Sequence, residues 1–327
     1  MEPLLQIEDL QVEFRTMGGR LKALCGVTFN VLPGEIFGLV GETGCGKTVT
    51  GLSILRLIPR PGQIIAGRVL FKGKNLLEKS MSDMQKIRGG EISMIFQDPS
   101  SSLNPVFTAG YQIIHVIRQH QGGSVEQAEQ RALEVLESIG LPDVRRLMDS
   151  YPHELSGGMQ QRIMIGMALS CQPDLLIADE PTTALDVTIK AQILDLLKDL
   201  QTRFSLTILL ITHDLGVVAE TCDRLAVLYA GHVVEIGRAE DIFAKPSHPY
   251  TRGLMKAIPH RSSRGHKLEA IRGTVPGNPG TLVGCSFESR CDLSFEKCNL
   301  ESPPLFETNT GHQSACWLLE QQESHDE

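Results

Sequence analysis

Gly41-Glu42-Thr43-Gly44-Cys45-Gly46-Lys47-Thr48 decides how this chain is read. The stretch fits GxxxxGK[ST]. Its glycines let successive backbone N–H groups turn inward as an anion nest. A helix that follows directs its positive N-terminal end at the same anion. The flanks supply the context such a loop needs. Ile36 to Val40 is a short unbroken apolar run, as expected of a buried parallel strand. Thr48 to Leu57 reads as a helix, stopped by Pro59 and Pro61. The pattern assigns Lys47 to the β- and γ-phosphates of a nucleotide and Thr48 to Mg²⁺, with Gly41, Glu42, Thr43, Gly44, Cys45 and Gly46 forming the cradle.

Further chemistry follows downstream in a fixed order. Leu175 to Ala178 is an apolar strand that ends in Asp179-Glu180. Asp179 is expected to hold Mg²⁺, and Glu180, one residue on, to polarise an attacking water. Gln97 closes the strand Ile92 to Phe96 and is expected at the metal and the water. His213 closes Leu206 to Ile211 and is expected at the γ-phosphate. Ligands in open α/β sheets bind at such strand C-terminal ends. LSGGMQ (Leu155 to Gln160) puts Ser156, Gly157 and Gly158 at the start of a helix, where free N–H groups bind phosphate. A second phosphate-binding helix terminus is redundant within one chain. It becomes useful when it covers a nucleotide held by a partner subunit. Asp186, in ALD (Ala184 to Asp186), is a further candidate for nucleotide binding. Phe14, upstream of the loop, suits either an adenine platform or the core.

Outside these motifs, Leu5 to Phe14, Leu24 to Val31 and Gly67 to Phe71 read as strands. From Pro105 to Leu169 the strand signal fades. Val106 to His120, Val125 to Ile139 and Gly158 to Leu169 carry helical periodicity, which predicts a helical insertion. Helix Thr188 to Leu200 and strand Leu225 to Tyr229 return the chain to an α/β core with a mostly parallel sheet. Beyond Lys245 the chain becomes rich in proline.

Bulk properties exclude several classes. A formal charge of -8 argues against a nucleic-acid surface. No apolar run approaches the roughly 20 residues of a membrane helix. The N-terminus shows no secretory h-region. A cytoplasmic setting is therefore expected, in which the eight cysteines are mostly reduced.

This motif set resembles the ATP-binding cassette family over residues 1 to about 245. In that family's terms the chain carries Walker A (Gly41 to Thr48), Q-loop (Gln97), signature (Leu155 to Gln160), Walker B (Leu175 to Asp179), catalytic glutamate (Glu180), D-loop (Ala184 to Asp186) and switch histidine (His213). Phe14 stands where the family has its aromatic adenine platform. The resemblance implies an α/β, P-loop NTPase fold: a RecA-like parallel sheet core with an antiparallel β part and a helical subdomain at about 99–172. It also implies a head-to-tail dimer that ATP closes and hydrolysis reopens. A narrower resemblance, to the D-type ATPase subunit of bacterial dipeptide/oligopeptide/nickel importers, rests on Ile95 to Pro105, Ala178 to Thr188, HPYT (His248 to Thr251) and Val275 to Cys291. It implies an F-type ATPase partner, two membrane permeases, an extracytoplasmic binding protein and a peripheral place on the inner face of the cell membrane. It also marks Asp98 to Phe107 as the surface facing the permeases.

Residues 246–327 form the expected C-terminal extension. Its cysteines follow Cys285-x5-Cys291-x6-Cys298-x17-Cys316. Structural zinc sites contain close pairs, and this pattern has none; four wider-spaced thiolates suit an iron–sulfur cluster. The resemblance points the same way, to a 4Fe-4S cluster, with zinc and unliganded thiols as the other readings.

Overall fold

The computed structural model describes residues 2–98, 102–182, 186–257, 271–309 and 311–323. Contacts divide it into two units, Met1–Leu77 with Ile211–Glu327, and Glu78–Leu210.

The first unit opens with β1 (Leu5–Thr16) and β2 (Gly19–Val31), an antiparallel hairpin paired from Leu5↔Val31 to Thr16↔Gly19 with register shifts between Ile7 and Glu13. β3 (Ile36–Val40) follows and runs straight into the Gly-rich loop and α1 (Lys47–Ile54). β4 (Gly62–Phe71) and the short β5 (Lys74–Asn75) complete an antiparallel sheet in the order β2-β1-β4-β5. One face of this sheet is core: Leu5, Ile7, Leu10, Val12, Leu24 and Val69 are fully buried. Phe29 of β2 stacks on Phe37 of β3, ring centroids 5.2 Å apart, and so anchors the sheet over the strand that carries the loop.

The second unit is mainly helical. It contains α2 (Met81–Ile87), β6 (Ile92–Ile95), α3 (Ala109–Gln121), α4 (Val125–Ser138), α5 (Val144–Asp149), α6 (Gly157–Leu169), β7 (Leu175–Asp179) and α7 (Val187–Phe204). β6 and β7 pair in parallel from Ile92↔Leu175 to Ile95↔Ala178. Apart from α5, whose Asp143 makes no side-chain cap, these helices begin where side chains satisfy their first N–H groups. Thr108 caps α3, which is why that helix starts at Ala109 and not at Val106. Ser124 and Gln127 form a capping box on α4. Ile113, Leu136, Ile163 and Ile165 are fully buried among these helices.

β8 (Thr207–Thr212) leads back to the first unit. There follow α8 (Leu215–Thr221), β9 (Arg224–Tyr229), β10 (His232–Arg238), α9 (Ala239–Ala244), α10 (Pro249–Lys256), α11 (Glu296–Leu300), β11 (Phe306–Asn309), β12 (His312–Ser314) and α12 (Trp317–Glu323). β3 pairs in parallel with β9, and β9, β10, β12 and β11 continue the sheet antiparallel.

β10 escapes a reading by pattern because Glu235 interrupts its apolar run, yet Glu235 is itself fully buried. Its Oε1 accepts from the Ser247 N–H (2.6 Å) and lies 2.8 Å from His312 Nε2, and its Oε2 accepts from the His248 N–H (3.0 Å). These bonds outweigh the cost of burial and hold its carboxyl below the usual carboxylate range. The C-terminal strands are thus tied to β10 by an ionised carboxylate.

Candidate functional site

Within the first unit the loop 41–48 is held open at the end of β3. Gly41 (φ 153°) and Gly46 (φ 110°) adopt backbone shapes that favour glycine. A Cβ on Gly41 would lie 2.2 Å from the Leu228 carbonyl oxygen of β9. Lys47 is 5% exposed, and its ammonium donates to the carbonyls of Gly41 (2.8 Å) and Glu42 (3.0 Å). Cys45 is fully buried, and burial raises its thiol pKa, so it fills space under the loop. Thr43, Gly44 and Thr48 are exposed. Phe14 is half-buried on β1 opposite Gly62, where a Cβ would meet its ring at 2.6 Å. His213 is exposed directly after β8, and Asp214 behind it caps α8 through the N–H groups of Gly216 (2.9 Å) and Val217 (3.2 Å).

Within the second unit, Asp179 is 2% exposed at the end of β7. Glu180 follows with φ 46°, a left-handed conformation that carries strain in a side-chain-bearing residue. That turn swings its carboxylate to Gln97, whose amide donates to Glu180 Oε2 at 3.2 Å. Residues from the ends of two paired strands are thereby brought together. Ser156 accepts from Met159 N and caps α6, with Gly157 exposed and Gly158 half-buried beside it. Gln160 donates back to the carbonyls of Pro152 (2.7 Å) and Leu155 (3.2 Å), fixing the approach to that helix. Asp186 caps α7 by accepting from Ile189 N at 3.0 Å. Ala184 lies outside the described residues.

The thiols of Cys285, Cys291, Cys298 and Cys316 line one cavity with Phe287, Leu293, Trp317 and Leu318. Burial first, then the closeness of the other thiols, pushes Cys285 and Cys316 up to about 11. Among the described residues no group of three or more His, Cys, Asp or Glu is arranged so that it could hold a metal ion. The expected cluster therefore has its donors around one space but no ready-made ligand geometry.

Two residues near the loop were not legible as site residues. Tyr250 accepts from the Glu42 N–H, and Arg290 pairs with the Glu42 carboxylate. Tyr250 sits in the HPYT motif, which carries no visible chemistry of its own. Arg290 lies in the stretch Val275 to Cys291, where it likewise shows no chemistry of its own in sequence.

The family model described as "ABC transporter" matches residues 24–183, and that described as "Oligopeptide/dipeptide transporter, C-terminal region" matches 234–298. The chain is 46% identical to the dipeptide transport ATP-binding protein DppD of Bacillus subtilis, covering 99% of this chain and 97% of that protein. It is 48% identical to the oligopeptide transport ATP-binding protein OppD of the same organism, covering 97% and 89%. It is 45% identical to DppD of Escherichia coli, covering 96% of each. Among solved structures, the dimeric post-hydrolysis state of the ATP-binding cassette MJ0796 bound to ADP and Pi is similar at TM-score 0.65 and 29% identity, over 72% of this chain and 98% of that one. CbiO1 of Clostridium perfringens, part of the cbiONQ transporter complex, is similar at TM-score 0.64 and 27% identity, over 75% and 92%.

Proposed function

Because this chain belongs to the ABC transporter ATPase family, we propose that it hydrolyses ATP to power the import of dipeptides or oligopeptides. The observation that carries the cargo class is the match to peptide-transport ATP-binding proteins along the whole chain, C-terminal region included. Residues 1–245 are read as the nucleotide-binding domain and 246–327 as the extension proper to this branch.

The loop 41–48 binds the triphosphate, with Lys47 exchanging its present carbonyl partners for phosphate oxygens. Phe14 is assigned to the adenine. Thr48, Asp179 and Gln97 are assigned to Mg²⁺, which when bound neutralises phosphate charge. Glu180 takes a proton from water, Gln97 orients it, and His213 contacts the γ-phosphate. Ser156, Gly157, Gly158 and Asp186 serve the nucleotide of a second ATPase subunit, of the F type.

Among the described residues no helix is long and apolar enough to cross a membrane. The chain is placed as a peripheral subunit on the cytoplasmic face of the inner membrane, working with two permeases and an extracytoplasmic binding protein. Phe96, next to Gln97, and Val106 (69% exposed), Phe107 and Tyr111 downstream of it are exposed apolar groups, and Phe107 stacks on Tyr111 at 4.7 Å. They support the assignment of Asp98 to Phe107 to the permease contact; residues 99–101 lie outside the described part.

Cys285, Cys291, Cys298 and Cys316 are assigned to a 4Fe-4S cluster, supported by their spacing and their shared cavity. When bound, the cluster cross-links the extension. Iron and sulfide assayed after anaerobic purification test this, and one equivalent of zinc without iron refutes it. For the transport function, uptake of labelled dipeptides, longer peptides and nickel ion is compared in cells carrying the native chain or Glu180→Gln. Loss of peptide uptake supports the proposal; loss of nickel uptake alone, or of none, overturns it.

A further inference from the structure

The HPYT motif and the four-thiol extension both reach the phosphate loop, and both end on the same residue. Tyr250, fully buried, accepts the Glu42 N–H on its hydroxyl at 2.9 Å. Glu42 N–H and Gly41 C=O belong to one peptide group. That group is planar and trans, so its N–H and C=O point in opposite directions. With the N–H held by Tyr250, the Gly41 carbonyl is turned the other way, where it accepts from the Lys47 ammonium at 2.8 Å. The Gly41–Glu42 peptide, on which Lys47 rests until phosphate takes its place, is thus fixed by a tyrosine about two hundred positions away in sequence.

Arg290 holds the side chain of the same residue. Its guanidinium meets the Glu42 carboxylate in bidentate fashion, at 2.7 and 3.0 Å. The arginine side chain is 4% exposed, and its remaining donors are engaged: Nε with the Arg272 carbonyl (2.8 Å), Nη1 with the Tyr229 hydroxyl and Nη2 with the Gly273 carbonyl (both 3.4 Å). It lies over the rings of Tyr229 and Phe287, which pack with Tyr250 in one aromatic cluster. A fork held at this many points is pre-organised, so little motion is left to the carboxylate that it grips. Phe287 also lines the cavity of the four thiols, and Cys291 is the next residue after Arg290.

We infer that Tyr250 and Arg290 are positioning residues for the phosphate loop: by fixing the Gly41–Glu42 peptide and the Glu42 side chain, they set the ATP affinity of the cassette from its C-terminal extension. The inference rests on the reading of 41–48 as the ATP phosphate site. Each acts through Glu42. The extension is then part of the nucleotide site and not an appendage. A cassette without it needs another way to hold this peptide.

The test uses the full chain and reads equilibrium binding of a fluorescent ATP analogue, KM and kcat for ATP in the assembled ATPase, and thermal melting. Tyr250→Phe removes one hydroxyl and keeps the ring. One net hydrogen bond corresponds to about a threefold to tenfold rise in the dissociation constant. Arg290→Met removes the bidentate pair and is expected to raise it by about tenfold or more. Both should raise KM by the same factor, with kcat at saturating ATP changed less than about twofold, since uniform binding is what is lost. A merely structural role would lower the melting temperature and the active fraction, and would leave the dissociation constant unmoved. Lys47→Ala is measured alongside. If wild type binds, Lys47→Ala does not, and folded Tyr250→Phe and Arg290→Met both bind like wild type, this inference fails while the phosphate-loop reading stands. If Lys47→Ala binds like wild type, or wild type does not bind, the phosphate-loop reading fails and takes the inference with it. If Arg290→Met does not fold, Tyr250→Phe decides alone.

Discussion

Replacing Glu180 by glutamine separates catalysis from architecture. Glu180 Oε2 accepts the Gln97 amide at 3.2 Å, and the residue sits at φ 46° after a fully buried strand. A glutamine has the same length, and its amide oxygen can take the place of Oε2 and go on accepting from Gln97. Its preference at that backbone shape does not differ in kind, since neither residue lacks a Cβ. The change therefore deletes the carboxylate as a base and keeps the Gln97 contact. A positioned general base is worth about 10²- to 10⁴-fold in rate. That corresponds to about 3–5.5 kcal/mol of barrier, at about 1.4 kcal/mol per tenfold. Single-turnover phosphate release from the assembled ATPase, beside equilibrium ATP binding, measures both halves. The expected result is hydrolysis lowered by about 10²-fold or more with ATP affinity held within about twofold. A drop of less than about tenfold would remove Glu180 from the role of base. Equal loss of binding and hydrolysis would show that the residue holds the site together, and would refute the separation argued here.

Other expectations follow from the packing. Glu235→Gln must place its NH₂ against a backbone N–H in either orientation, Ser247 at one oxygen position and His248 at the other. It should cost about 1–3 kcal/mol, read as a shift of the urea midpoint; a change within experimental error would dismiss the buried hub. Gly41→Ala puts a Cβ 2.2 Å from the Leu228 carbonyl and should abolish ATP binding, so an alanine variant with normal affinity would contradict the loop geometry. Stability should also fall in mild acid. Burial pushes His248 from 6.5 down to about 4, so below pH 6.5 the unfolded chain takes up a proton that the folded one refuses. The native state loses up to about 1.4 kcal/mol per pH unit across that window, on the order of 3 kcal/mol in all. His248→Asn should flatten this slope in urea titrations at successive pH values; an unchanged slope would assign the acid lability elsewhere.

What the sequence determined by itself is what short-range chemistry determines. The phosphate loop is eight consecutive residues between a buried strand and a helix, so its glycines, its lysine and its threonine announce their roles without any fold. Ser156 and Asp186 each cap a helix through an N–H three residues on. β3 and the first four residues of β7, Leu175 to Ala178, are unbroken apolar runs, and their burial follows from that alone. The order of the motifs, together with the family resemblance, then pointed to the fold class, to ATP and to a second subunit. Tertiary structure decided what depends on distant partners. β10 is a core strand although a glutamate sits in its middle, because residues 247, 248 and 312 arrive to satisfy that charge. Gln97 reaches Glu180 only because β6 and β7 pair in parallel. Arg290 grips Glu42 across 248 positions of chain, and Tyr250 does so across 208. No periodicity or spacing encodes such contacts. They exist because folding buries groups such as the Arg290 guanidinium, which is stable there only with a partner such as the Glu42 carboxylate beside it.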